Sequence, residues 1–170
     1  MKQYVDRLSG EPVRRQACRS GVSAVVVEVF VNNVGSKEPC MLEQRIEEVN
    51  QANRAFYAAF GSLDINEMDK VWAHQEYVTC IHPGWSLRSD WPEVRDSWVL
   101  IFNNTFSMTF VLTDVTVQVA GDLAWVVCVE NITTQQSDEP QQAQVLATNL
   151  FERIGDEWLL IHHHGSAVMG

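Results

Sequence analysis

The chain has 170 residues, of which 46% are hydrophobic, enough for one globular domain with a real core. A formal net charge of -10 excludes a nucleic-acid binder that works by phosphate neutralisation, because no Lys/Arg cluster is available to displace counterions. A neutral small molecule or a cationic partner fits that charge better.

The chain changes character near residue 42. Residues 1–42 hold six of the twelve Lys and Arg but four of the twenty-two Asp and Glu, so this segment is +2 and the remainder, 6 minus 18, is -12. The segment contains Arg14-Arg15 and an apolar run, Val22 to Val31, that lacks the pattern of a signal peptide. It is expected to be an extension, disordered, strand-forming or not native, with Met41 as the natural start and the domain proper running from 43 to 170. No apolar run reaches the length of a membrane span, since the stretch around Ala24 to Val31 is short and interrupted by Glu28. Four cysteines, Cys18, Cys40, Cys80 and Cys128, show no CxxC spacing and are expected to be reduced, which points to a soluble, cytoplasmic protein.

From Glu43, the residues Ile46, Val49, Asn50, Asn53, Phe56, Tyr57 and Phe60 recur at three and four residues, which predicts a helix with one mostly apolar stripe, stopping at Gly61. Asp64, three residues before Glu67, opens a short helix through Met68, Val71 and Trp72. Tyr77 to Ile81 reads as a strand, ended by Pro83-Gly84. Asp90, Pro92 and Glu93 open a second long helix with Val94, Trp98, Ile101 and Phe102 on its buried stripe. After Thr105 the period becomes two, and long strands follow at Met108–Val119, Leu123–Thr134, Ala143–Arg153 and Glu157–Ser166, separated by turn residues. Helices first and an antiparallel meander afterwards predict an α+β fold with helices on one face of a curved sheet.

This order, with His82-Pro83-Gly84 after the first strand, Trp98 in the second long helix and a close of Trp158-Leu-Leu-Ile-His162-His163-His164-Gly-Ser166, resembles the SnoaL-like, nuclear transport factor 2-like superfamily from about Glu43 to Ala167. The closing segment is also similar to the end of the association domain of calcium/calmodulin-dependent kinases. The resemblance implies a cone: a strongly bent sheet wrapped around the helices, open at one end, often dimerising through the sheet's outer face. Members include isomerases, polyketide cyclases, dehydratases, transport factors and assembly domains, so the fold by itself does not select an activity.

Strict alternation along the last strand predicts that His162, His164 and Ser166 share a face with Trp158 and Leu160, while Leu159, Ile161 and His163 take the other. On a cone-lining face, two imidazoles could serve as acid, base or hydrogen-bond donor; otherwise they merely shape the core. A zinc reading would join His82 to His162 and His164, but the spacing matches no ligand motif and no carboxylate is placed to support it, so no metal and no dedicated cofactor are expected. Glu130 shares a face with Ala124, Val126 and Cys128, a position that could raise its carboxyl into the range needed for proton transfer at neutral pH; the alternative is an exposed strand-end Glu or a pair with Arg95 or Arg153. Six tryptophans suit an apolar ligand pocket, with Trp72, Trp85 and Trp98 its candidates. Ser166 has no nucleophile elbow and no glycine-rich loop follows a strand, which disfavours covalent catalysis and nucleotide binding.

The expectation is therefore a domain that binds a small apolar molecule, with acid/base chemistry of the isomerase, cyclase or dehydratase type at His82, His164 and Glu130, and with Trp72, Trp85, Trp98, His162 and Ser166 against the ligand. The alternative is a noncatalytic association module, a homodimer through an outer sheet face that includes Val111, Val117, Val127 and Ile161.

Overall fold

A computed structural model describes residues 38–135 and 140–168, with side chains from Met41 onward. The expectations for the segment before Glu38, and for Cys18 and the Cys40 side chain, lie outside the described residues.

The first helix, α1 (Glu38–Ser62), buries Ile46, Val49, Asn53, Phe56, Tyr57 and Phe60 along the stripe read from the sequence. Each large apolar side chain so buried stabilises the fold by about 1.5–3 kcal/mol. The helix starts earlier than its apolar stripe suggests. The boundary placed at 42/43 falls inside it, as does Met41, and Leu42 already packs on the core. In α2 (Ile65–Val71), the Asp64 carboxylate accepts from the Asn66 amide, as an N-cap should. Glu67 does not complete a capping box; it pairs with Lys70, while the Asp64 amide donates to Ser62 Oγ.

Two short strands follow, β1 (Thr79–Ile81) and β2 (Arg88–Ser89), then α3 (Trp91–Asn103). Asp90 caps α3 through the Glu93 amide, and Glu93 Oε2 accepts in turn from the Ser89 amide. Val94, Trp98 and Phe102 are buried and Ile101 is partly so. Four long strands complete the sheet: β3 (Ser107–Ala120), β4 (Leu123–Gln135), β5 (Gln141–Ile154) and β6 (Glu157–Ala167). They form the antiparallel meander that was expected, in a six-stranded sheet ordered β2-β1-β6-β5-β4-β3. The β1–β6 pairing is parallel, which the hairpin reasoning did not anticipate. The helices pack on one face of this curved sheet, so the molecule is α+β.

Two bulges change which residues face the helices. In β3 the pairing with β4 shifts between Thr113 and Thr116, where Asp114 adopts a φ of 53°. One extra residue inverts the alternation beyond it. Val117, placed on the outer face by simple alternation, is accordingly buried in the core, whereas Val111 before the bulge stays exposed. A second bulge in β6, between the partners Leu150↔His162 and Phe151↔Leu160, does the same to the histidine run.

Candidate functional site

The β6 bulge decides the site. Trp158 and Leu160 point into the core, Ile161 is the extra residue, and from His162 onward the parity is reversed. His163 and Gly165 therefore face the helices, while His162, His164 and Ser166 lie on the outer face, contrary to the alternation expected from the sequence. The His162 Nδ1 bonds Thr79 Oγ1 at 2.7 Å, and its ring sits 6.3 Å from that of the exposed His164. His82 is inside, so the three imidazoles weighed as zinc ligands do not share a face.

The inner face holds a connected set of buried polar side chains. Glu130 is 2% exposed, flanked across the sheet by Leu112 and Val145. It is not at an exposed strand end, and neither proposed arginine reaches it: Arg95 pairs with Asp69 and Arg153 with Asp156. The Tyr57 hydroxyl donates to Glu130 Oε1 at 2.6 Å and lies 3.4 Å from Cys128 Sγ. Asn149 Nδ2 donates to the Tyr57 oxygen at 3.2 Å and to Asn53 Oδ1 at 2.8 Å. The Asn149 Oδ1 then faces His163 Nδ1 at 2.7 Å. A carbonyl oxygen can only accept, so His163 carries its proton on Nδ1 and leaves Nε2 with a free lone pair.

A parallel argument fixes His82. Ser97 Oγ donates to the Val94 carbonyl at 2.6 Å, so it accepts from His82 Nε2 at 2.9 Å, and His82 Nδ1 is the unprotonated nitrogen. The two rings lie 6.3 Å apart, and both pack against Trp98, at 4.6 Å for His82 and 5.8 Å for His163. Burial disfavours charge on all of these groups. It pushes the Glu130 carboxyl up to about 7, against the opposing Tyr57 hydrogen bond. It draws His82 down to about 4, with Arg88 adding to the effect, and holds His163 well below its ordinary value. Cys128 rises to about 11 and Cys80 is also raised, so neither buried thiol is a thiolate near neutrality.

The tryptophans divide. Trp72 and Trp98 are fully buried, and the Nε1 of each has no hydrogen-bond partner among the described residues. Trp85 is half-buried in the loop after β1, its ring 5.1 Å from His82 and under the Arg88 guanidinium. Pro83 of that loop lies against Gly165, the end of a row of small inner-face residues, Cys128, Ala147 and Gly165, paired across β4, β5 and β6. A Cβ on Gly165 would lie 3.3 Å from the Pro83 ring, so the missing side chain is what lets Pro83 seat there. Two hollows among the described residues lie away from this row, the second lined in part by Tyr57. One of about 240 Å³ is lined by Leu63, Ile65, Val99 and Phe102, and one of about 400 Å³ lies between α1 and β3.

Of the residues singled out in the sequence, the structure brings together His82, Trp98 and Trp85 and buries Glu130 on the same inner face, linked through Tyr57 and Asn149 to His163; Trp72 is core, and His162, His164 and Ser166 lie outside. Sequence reasoning missed His163, Tyr57, Asn53 and Asn149. The last three carried a signal: Asn53 and Tyr57 lie on the apolar stripe of α1, and Asn149 alternates with Ala147 and Phe151 on β5. A polar side chain on an apolar face needs a partner.

Comparison with known proteins agrees with this architecture. Residues 49–170 match the model of the SnoaL-like domain. A proposed dehydratase of the NTF2-like family from Streptomyces avermitilis is 39% identical, with 75% of this chain and 99% of that one covered at a TM-score of 0.71. A proposed calcium/calmodulin-dependent protein kinase type II association domain from Thiobacillus denitrificans is 29% identical, with 69% and 93% covered and a TM-score of 0.63. F-box protein SKIP8 of Arabidopsis thaliana is 30% identical over 117 residues, 69% of this chain and 48% of that protein, so the chain spans about half the length of this relative. The chain belongs to the SnoaL-like domain family and has the nuclear transport factor 2-like α+β fold.

Proposed function

We propose that the domain binds a small, largely apolar molecule bearing a carbonyl or hydroxyl group inside the cone, and moves protons on it with Glu130 and His163. The observation that carries this reading is the buried chain of hydrogen bonds from Glu130 through Tyr57 and Asn149 to His163. It joins a carboxyl that is half protonated near pH 7 to a neutral imidazole whose Nε2 lone pair is free. An acid and a base held in opposite protonation states are what an elimination needs. In a dehydration, His163 Nε2 would take the proton next to a carbonyl, the carbon–carbon double bond would form, and the departing hydroxyl would leave as water with the Glu130 proton. The Trp98 Nε1–H would donate to the carbonyl oxygen as negative charge develops on it. His82, the histidine chosen from the sequence, would add a polar wall, and displacement of Pro83 and Trp85 from the small-residue row would admit the ligand. His164 and His162, on the outer face, have no part in this chemistry. The likeness to a proposed dehydratase supports the reaction class.

The test is an NMR titration of the full chain with short-chain hydroxyketones and enones, following the Trp98 indole proton. Saturable shifts of that proton, lost in Glu130→Gln together with any turnover, are expected. Shifts confined to the outer face, or none with any compound, would refute it.

A second reading has its own observation. On the outer face Val111, Trp125 and Leu146 are exposed at 65%, 40% and 47%, while Val127 is partly buried and Ile161 packs against the core. That face suits a homodimer, and sedimentation of Trp125→Glu against wild type tests it: a dimer that dissociates in the variant supports the interface, and an unchanged mass opposes it.

A further inference from the structure

From residue 43 onward, acidic side chains outnumber basic ones 18 to 6. Five of the six cations pair with a carboxylate: Arg45 with Asp122, Arg54 with Glu47, Lys70 with Glu67, Arg95 with Asp69 and Arg153 with Asp156. Arg88 has no such partner among the described residues. The acids that follow it in sequence are committed at the start of α3, where Asp90 accepts from the Glu93 amide and Glu93 from the Ser89 amide. The Arg88 guanidinium instead lies over the Trp85 ring, 5.5 Å from its centroid, and its Nε–H is buried with no hydrogen-bond partner among the described residues. A buried donor left unpaired is costly, the more so on a charged group. The fork of an arginine matches a planar carboxylate, which takes two of its donors at once.

Arg88 also stands in line with the inner site. It pairs with Cys80 across β2 and β1, Cys80 with His163 across β1 and β6, and His163 with Asn149 across β6 and β5. Residues directly opposite one another in a sheet point to the same side, and Cys80, His163 and Asn149 are all buried on the inner face. Arg88 is therefore the outer end of that row, two strand spacings, about 10 Å, from the His163 backbone. Its charge reaches the site: it helps to hold His82 down at about 4, and the Trp85 ring beneath it lies 5.1 Å from the His82 ring. Farther in, the Trp98 Nε1–H is a second buried donor without a partner among the described residues. The two orphaned donors mark two ends, a cation at the sheet edge and a neutral donor in the core.

We infer that Arg88 binds the carboxylate of a small organic acid. This rests on the cone as the binding site and narrows its ligand to a keto or hydroxy acid, its carboxylate set apart from the reacting carbonyl and its apolar part lying along the row toward His163. A single cation beside Asp90 and Glu93 suits a monoanion better than a phosphate dianion. The overall charge favours a neutral ligand, and Arg88 is the local exception, because a stacked, partly buried cation is screened less than the exposed acids around it.

The test is a pair of NMR titrations of the full chain, with levulinate and with its methyl ester, following the Arg88 Nε–H and the Trp85 and Trp98 indole protons. The acid should bind at least about tenfold more tightly than the ester, move all three protons, and lose its preference in Arg88→Gln. Equal affinities in wild type, with Trp98 shifting, would overturn the role of Arg88 and leave the cone as a binding site. Shifts of Arg88 and Trp85 by the acid alone, with Trp98 still, would uphold the carboxylate site and refute the cone reading. A preference that survives Arg88→Gln, or no response to either compound, would overturn the inference. The comparison of acid with ester in wild type stands without the variant.

Discussion

Three consecutive histidines of β6 live in two environments. His163 is buried, donates to Asn149 and is held far from protonation, whereas His162 and His164 lie on the outer face, with His164 open to solvent. The residue types are identical and the neighbours adjacent, so the difference comes from the backbone: one bulged residue, Ile161, sets which imidazole enters the cone. Chemistry that depends on a strand face is decided by register before it is decided by residue type.

The largest effect should separate two tryptophans on the two faces. Trp98→Ala, fully buried among Phe56, Phe60 and His82, should lower stability by about 3–5 kcal/mol, whereas Trp125→Ala on the outer face should cost about 1 kcal/mol or less in the monomer. Chemical denaturation of both variants checks this, and equal losses would break the distinction between the faces.

The next effect is the pH dependence of the inner face. The Glu130 carboxyl titrates at about 7 when folded, against an ordinary value of 4.5, so its contribution to stability is full below pH 4.5 and is lost as pH rises through 7. Glu130→Gln removes that loss while keeping an acceptor for Tyr57. At pH 8 the variant should exceed wild type by about 2–3 kcal/mol, and at pH 4.5 the gap should close. His82 works in the opposite sense: lowered to about 4, it contributes stability that is complete above pH 6.5 and is lost as pH falls through 4. Subtracting the two proteins' pH profiles cancels the His82 slope and leaves that of Glu130. A gap independent of pH would mean that Glu130 titrates at its ordinary value in the folded protein.

A smaller effect sharpens the histidine comparison itself. His163→Ala leaves the buried Asn149 Oδ1 without its donor and should cost about 1–3 kcal/mol, while His164→Ala should stay within about 0.5 kcal/mol of wild type. The smallest concerns the loop. Gly165→Ala brings a Cβ to 3.0 Å from Val145 Cγ1 and 3.3 Å from Pro83, which should cost about 1 kcal/mol and quicken amide exchange at Gly84 and Trp85.

The order of elements was legible in the sequence because it rests on period and punctuation. The 3.6-residue stripe from Ile46 to Phe60, the caps at Asp64 and Asp90 and the turns of the β3–β6 meander all follow from local rules. Glu130 was legible for the same reason, as a charged residue on an apolar face of β4 where no bulge intervenes. His164 and Val117 were misplaced because a bulge inverts parity without changing composition. The parallel β1–β6 pairing, and the network that ties residues of α1 to β4, β5 and β6, depend on contacts between residues far apart in the chain, which no local pattern encodes.

The central claim is that Glu130 is a buried acid poised near neutrality. A titration of its 13C-labelled side-chain carboxyl by NMR, assigned with Glu130→Gln, tests it most directly. The account predicts a midpoint near 7 in wild type, moving higher in Tyr57→Phe, which withdraws the hydrogen bond that favours the carboxylate; a midpoint near the ordinary 4.5 would contradict it.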